Sequence, residues 1–191
     1  NHMAVEKADY LPDASVCFLK NQALRLQSTS GGFFTALAQN VLNLGGIVCG
    51  VILDEQQKVV HTFAENESEL SKMRRSKYVQ SNQCGIYFQV KEKLNKGRIV
   101  LYSGTPCQVA GLKSYLGKEY ENLITVDIFC HGVGSPLYWE KYLLYVSQKM
   151  KSQIKEVVFR EKTYGYNSAC LAVYFKNGKS SHKGHDDDLY W

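Results

Sequence analysis

The chain has 191 residues, of which 45% are hydrophobic and 21% charged, and a formal net charge of +5. That is enough apolar chain for one large soluble domain with its own core, or two small ones. The modest positive charge comes without aromatic–basic repeats or zinc-finger spacing, which argues against nucleic-acid reading, and no apolar run reaches the ~20 residues of a membrane span. The start, NHMAVEKADY, has no apolar leader, so a cytoplasmic protein is expected, with Asn1–Met3 resembling a cloning scar. The six cysteines, Cys17, Cys49, Cys84, Cys107, Cys130 and Cys170, contain no CxxC pair. Zinc-ribbon and dithiol motifs are therefore absent, and most of these thiols are expected to behave as small buried hydrophobes.

In chain order, Ala14–Leu19 reads as a short strand with Cys17 packed inside. Ser28, Ser30, Gly31 and Gly32 then precede a helical pattern at Phe33, Leu37, Val41 and Leu44, with Ser30 as N-cap and Gly45 as C′ residue. A Ser/Gly turn opening a helix exposes backbone N–H groups that suit a phosphate, though an ordinary capped helix has the same pattern. Arg25 reads either as a phosphate contact or as a surface charge. Ile47–Leu53 is a buried strand with Cys49 in the core, and Val59–Glu65 returns as its hairpin partner. His61 within it reads as a satisfied surface or edge residue. Asn66 and Glu69 form a capping-box pattern for a short helix ending near Met73. The run Lys72, Arg74, Arg75, Lys77 is a solvated face or part of a large-anion site. Lys77-Tyr78 leads into a short strand, and Ser81-Asn82 caps a helix to Leu94.

Arg98–Tyr142 then holds two strand–loop–helix units, RIVLYSG–TPCQVAGLKSYLG and LITVDIF–CHGVGSPLYWEKYL. In the first, Thr105 is N-cap, Pro106 takes N1 and Gln108 completes a capping box. Cys107 at N2 lies near exposed N–H groups that favour a thiolate. In the second, Ser135 caps, Pro136 takes N1, and Cys130 and His131 lie at the strand end. Asp127 reads as a buried carboxylate that needs a partner. In a parallel sheet both turns open on the edge where α/β proteins bind ligands. After a helix over Pro136–Met150 come the strands IKEVVFREK and ACLAVYF, and a hairpin turn at Asn177-Gly178. The tail carries His182, His185 and three aspartates in a spacing that fits no standard metal geometry, and reads as an exposed loop. The fold class is α/β: a mixed, largely parallel sheet with helices on both faces and hairpin additions.

Five ordered motifs, STSGGFFTALA, SKYVQS, GRIVLYSGTPCQVAGLKSYL, VDIFCHGVGSPLYWEKYL and VVFREKTYGY, resemble the beta-subunit family of coenzyme F-420 hydrogenases and dehydrogenases. The resemblance implies a segment 1–24, a family N-terminal region over 25–96 and a shortened C-terminal region over 97–191. It also implies a flavoprotein with FAD and a [4Fe–4S] cluster, passing electrons between a ferredoxin-type or other redox protein and a small-molecule flavin or deazaflavin acceptor. Carried over residue by residue, Cys107 and Cys130 become cluster ligands or line the redox centre. Ser28, Ser30, Gly31, Gly32, Lys77, Tyr78, Gln80, Ser81 and Thr105 border the flavin. Arg160 and Lys162 of FREK become contacts for an anionic cofactor. A [4Fe–4S] cluster takes four thiolates, and with Cys17, Cys49, Cys84 and Cys170 read as structural, these 191 residues are expected to hold only part of one. Two other readings stand beside this one: a cysteine-nucleophile enzyme using Cys107 or Cys130 with His131 as base, and a non-catalytic docking scaffold.

Overall fold

The computed structural model describes residues 13–166, 170–184 and 186–190. In chain order the elements are α1 (Gln22–Gln27), α2 (Phe33–Asn43), β1 (Ile47–Leu53), β2 (Val59–Ala64), α3 (Glu67–Met73) and α4 (Ile86–Asn95). They continue with β3 (Val100–Gly104), α5 (Pro106–Leu116), β4 (Leu123–Asp127), α6 (Pro136–Met150), β5 (Ile154–Glu161), β6 (Cys170–Phe175) and β7 (Ser180–Lys183).

The first sheet runs β2-β1-β3-β4, with β1, β3 and β4 parallel and β2 antiparallel at one edge. Strand alternation sends Val48 and Leu101 to one face, where Ala38 and Val41 of α2 and Leu70 and Met73 of α3 cover them. Cys49, Val100 and Tyr102 point the other way, onto Val90 and Leu94 of α4 and Val109 and Leu112 of α5. The result is the three-layer α/β arrangement expected from the sequence.

The second sheet, β5-β6-β7, is antiparallel throughout. Its Val157, Phe159, Leu171, Val173 and Phe175 pack on Trp139, Tyr142 and Val146 of α6. Trp139 is 1% exposed, and its Nε1–H donates to the Gln57 carbonyl at 2.7 Å, tying α6 to the β1–β2 turn. One helix thus joins the two sheets.

Several expectations give way to the structure. Residues 14–19 form no strand; they run exposed, and Leu19 N–H donates to Gly31 O at 2.8 Å. Cys17 and Cys84 are exposed rather than packed, whereas Cys49 and Cys170 are buried. The cap of α2 is Gly32 at φ 82°, not Ser30, and that of α4 is Gly85 at φ 73°, not Ser81-Asn82. In both cases left-handed backbone, which glycine adopts without penalty, starts the helix later than the hydroxyl or amide predicted. Asp127 is exposed at the end of edge strand β4, so its carboxylate is open to solvent rather than buried. His61 is buried, and so is Arg74 in the basic run. The tail is no loose loop: it supplies β7 and buries Asp188 and Tyr190, with Tyr142 Oη donating to Asp188 at 2.8 Å. His185 lies outside the described residues.

Candidate functional site

Gly104 and Asp127 are register partners at the ends of two parallel strands, so the Cys107 and Cys130 turns leave the sheet side by side. The first turn is held by a chain of hydrogen bonds. Gln108 Oε1 accepts from Thr105 N–H at 2.9 Å, and its Nε2–H donates to Ser81 Oγ at 2.9 Å. Ser81 Oγ lies 2.9 Å from His61 Nδ1, and His61 Nε2 lies 3.2 Å from the Ser103 carbonyl. Because a carbonyl only accepts, Nε2 carries the proton and Nδ1 accepts from Ser81. The whole chain is satisfied with neutral imidazole, and burial holds the His61 pKa down at about 4. His61 also stacks on Tyr102, with ring centroids 5.5 Å apart. The carbonyl of Gln108 accepts from Tyr87 Oη at 2.9 Å. Gly104 is needed here, since a Cβ would stand 2.9 Å from Gln108 Oε1. On this scaffold Cys107 is exposed, its Sγ 3.1 Å from Thr105 Oγ1.

The second turn is anchored differently. Residues 78–82 form an extended strap between β2 and the loop after Cys130. Asn82 bridges Val60 on one side, and Val79 bridges Gly134 on the other. Gln80 N–H donates to Gly134 O at 2.9 Å, and Gly134 N–H to Tyr78 O at 3.1 Å. Tyr190 Oη reaches the same Tyr78 carbonyl at 2.9 Å, and a Cβ on Gly134 would meet that hydroxyl at 2.4 Å. Beyond this dock the loop is open: Cys130 and His131 are exposed, and Phe129 is 102% exposed. Among the described residues His131 makes no hydrogen bond to either thiol. The strap thus brings Tyr78, Gln80 and Ser81 together with Thr105 and the two cysteine turns.

The serine–glycine turn is used internally. Ser28 is buried, donating to Leu24 O at 2.8 Å and paired with Thr35 Oγ1 at 2.7 Å. A Cβ on Gly31 would meet Cys17 O at 2.6 Å, and one on Gly32 would meet Leu19 Cδ1 at 2.6 Å. These glycines let residues 17–19 cross over the turn. Ser30 is exposed at φ 50°. Arg25 donates to Leu19 O at 2.7 Å and lies over the Phe18 ring. Lys162 Nζ donates to Arg25 O at 2.8 Å, and Arg160 Nη1 to Tyr78 Oη at 3.3 Å. Lys77 Nζ donates to the carbonyls of Lys72, Arg74 and Arg75 at 2.9, 2.7 and 3.1 Å. Burial, with the neighbouring Arg75 charge, lowers its pKa to about 7.

The basic run does form one wall of a cleft of about 510 Å³, with β5 and β6 opposite. Lys72, Arg74, Arg75, Lys77 and Lys155 line it against two carboxylates, Glu156 and Glu161. Arg74 is 8% exposed; its guanidinium bonds Glu67 and Gln27, yet its buried Nε makes no hydrogen bond. Buried Gln57 Oε1 in the same wall is also without a partner. A volume of this order and an excess of positive charge fit an anionic small molecule. The sequence showed the charges but not Arg74's burial, which depends on distant Gln27 and Glu67. The burial of His61 was readable: period-two alternation places it with Val59 and Phe63.

Residues 97–187 match the family model that describes the C terminus of the coenzyme F420 hydrogenase/dehydrogenase beta subunit. Over those residues this α/β chain with paired cysteine turns is similar to the coenzyme F420 hydrogenase/dehydrogenase beta-subunit family. A chain from the F420-reducing [NiFe] hydrogenase complex of Methanosarcina barkeri superposes with a TM-score of 0.53 at 19% identity. The match covers 88% of this chain and 59% of that one, so the present chain spans a little over half the length of its structural relative. A search of curated proteins gives no match. Among the described residues no helix is long and apolar enough to cross a membrane.

Proposed function

We propose that the chain is part of a flavin-dependent electron-transfer subunit, working between a ferredoxin-type protein and a flavin or deazaflavin acceptor. The observation that carries this reading is the meeting of the 78–82 strap with both cysteine turns, the turns themselves lying in the 97–187 region that matches a hydrogenase/dehydrogenase family. The excess positive charge of the cleft supports binding of the FAD diphosphate, with Arg75 and Lys155 facing the anion. Bound flavin would supply the one- and two-electron chemistry. The chain's own part is to bind the anion, hold the strap and fix the Cys107 turn through Gln108.

An iron–sulfur cluster does not fit these residues alone. Cys107 and Cys130 on the paired turns offer two thiols of the four required, Cys17 and Cys84 are exposed on other segments, and Cys49 is buried within the sheet layer. No step is derived through a cluster. The exposed apolar stretch of Ile128, Phe129, Val133 and Leu137 beside Cys130 favours the seating of a protein partner there. The absence of a hydrogen bond from His131 to either thiol disfavours the cysteine-nucleophile reading.

Titration with FAD, followed by flavin absorbance and fluorescence, tests the proposal. One equivalent should bind, bleach with a mild reductant and lose at least tenfold in affinity in Arg75→Glu. Failure of FAD and FMN to bind overturns it. Iron analysis after anaerobic reconstitution should give less than one cluster per chain.

A further inference from the structure

The outer face of the second sheet carries a cluster that the flavin reading does not use. Leu171, Val173 and Phe175 of β6 face the α6 core, so Cys170, Ala172 and Tyr174 face the opposite way. Register pairing puts Glu161 of β5 opposite Cys170, and His182 of β7 opposite Ala172, on that same face. Glu161 reaches it through an irregularity: the β5–β6 register shifts between Phe159 and Glu161, and Arg160 between them sits at φ 50°. A bulge of this kind re-aims the following side chain. With regular pairing Arg160 would oppose Cys170, and Glu161 would point into the aromatic core.

One ligand atom from each of Glu161, Cys170 and His182 lies within 4.8 Å of the others. Glu161 Oε2 and His182 Nδ1 are 3.2 Å apart. Tetrahedral zinc, with bonds of about 2.0–2.3 Å, holds its ligand atoms roughly 3.5 Å apart, between these two figures. The surrounding groups orient the donors. Tyr174 Oη donates to Glu161 Oε1 at 2.6 Å and leaves Oε2 facing the cluster. Ser180 Oγ, 3.0 Å from His182 Nε2, can accept its N–H and leave the Nδ1 lone pair facing inward. Thr163 Oγ1 lies 3.2 Å from Nδ1 and donates to Glu161 Oε2, so its hydroxyl sits among the three donors and must turn aside for an ion to enter. A bare Nδ1 lone pair 3.2 Å from a carboxylate oxygen is repulsive unless a cation or a proton lies between them.

We propose that Glu161, Cys170 and His182 form a binding site for one divalent transition-metal ion of the zinc class on the sheet's outer face. A thiolate, an imidazole nitrogen and a carboxylate are the mixed donor set of zinc, and three protein ligands leave a fourth position for water or a substrate atom. Tyr174 on Glu161 Oε1 and Ser180 on His182 Nε2 supply the outer hydrogen bonds such ligands need. An ion would enter past Glu161 and His182, whose side chains are 19% and 23% exposed, to reach the fully buried Cys170. Glu161 and Tyr174 also line the basic cleft, so the ion would lie in its wall. The proposal stands independently of flavin binding.

The test is Co²⁺ titration of the chelator-stripped, reduced chain. One equivalent should bind with a thiolate-to-cobalt charge-transfer band that Zn²⁺ abolishes. Cys170→Ser should remove the band, and Glu161→Gln and His182→Ala should each weaken Co²⁺ binding at least tenfold. A Cys107→Ser/Cys130→Ser double variant should bind as the parent does. No stoichiometric binding, a band surviving Cys170→Ser, or a band lost in the double variant would overturn the site. Should Cys170→Ser not fold, the part-exposed Glu161→Gln and His182→Ala variants decide, and unchanged Co²⁺ affinity in both refutes it.

Discussion

The two strand–loop–helix units share a sequence grammar, with a strand, a polar turn bearing one cysteine and a helix with proline at N1, yet their surroundings differ. The first turn leaves central strand β3 and is braced by side chains: Gln108, Ser81, His61 and Tyr87 fix it from three elements. The second leaves edge strand β4, and what holds it is backbone pairing with the strap at Gly134. Cys107 is therefore placed by a buried network, while Cys130 rides on a loop whose first half is open to solvent. Similar local sequences yield one rigid and one adaptable cysteine because strand position, not turn chemistry, decides how much packs around each.

The largest effect should come from removing what seats the second unit. Trp139→Ala deletes a nearly buried indole and its bond to Gln57, and should cost about 3–5 kcal/mol in urea unfolding. An unchanged midpoint would show that α6 is not held by that contact.

Next in size is a pH effect confined to the first unit. His61 is neutral in the fold, with its pKa lowered from 6.5 to about 4, so protonation favours unfolding. Its contribution is complete above pH 6.5 and is lost as pH falls towards 4. At about 1.4 kcal/mol per unit the loss is about 3 kcal/mol. The stability difference between the parent and His61→Gln should change across that window; parallel curves would show that the imidazole does not titrate on unfolding.

The smallest effect probes the second dock. Gly134→Ala places a Cβ against Tyr190 Oη and Tyr78 O, and should cost about 1–3 kcal/mol. It should also speed thiol labelling at Cys130 and leave Cys107 unchanged. Equal acceleration at both cysteines would erase the distinction between the units.

Much of this was legible in the sequence. The Thr105–Gln108 capping box, the α6 boundaries, the Asn177-Gly178 turn and the parallel pairing of β3 with β4 follow from local patterns. What was hidden depends on partners distant in sequence. Asp127 looked buried because its neighbours are apolar, but among the described residues β4 has no strand on its outer side. Ser30 looked like a cap because Gly32's left-handed backbone cannot be read from composition. Tyr190 looked like tail material because its partners are Trp139, Tyr142 and Phe159. The roles of Ser28, Gly31 and Gly32 as an anion turn compete with the residues 17–19 that already fill it.

The hydroxyl of Tyr190 on the Tyr78 carbonyl spans 112 residues of sequence, and Trp139 on Gln57 spans 82. Contacts this far apart form only after the intervening chain has paid its loop-closure entropy, so they form late in folding. The first sheet can assemble from nearer neighbours while the strap still lacks its second edge. The amides of Gln80 and Gly134 should therefore gain protection later than those of β1 and β3 in pulsed hydrogen exchange.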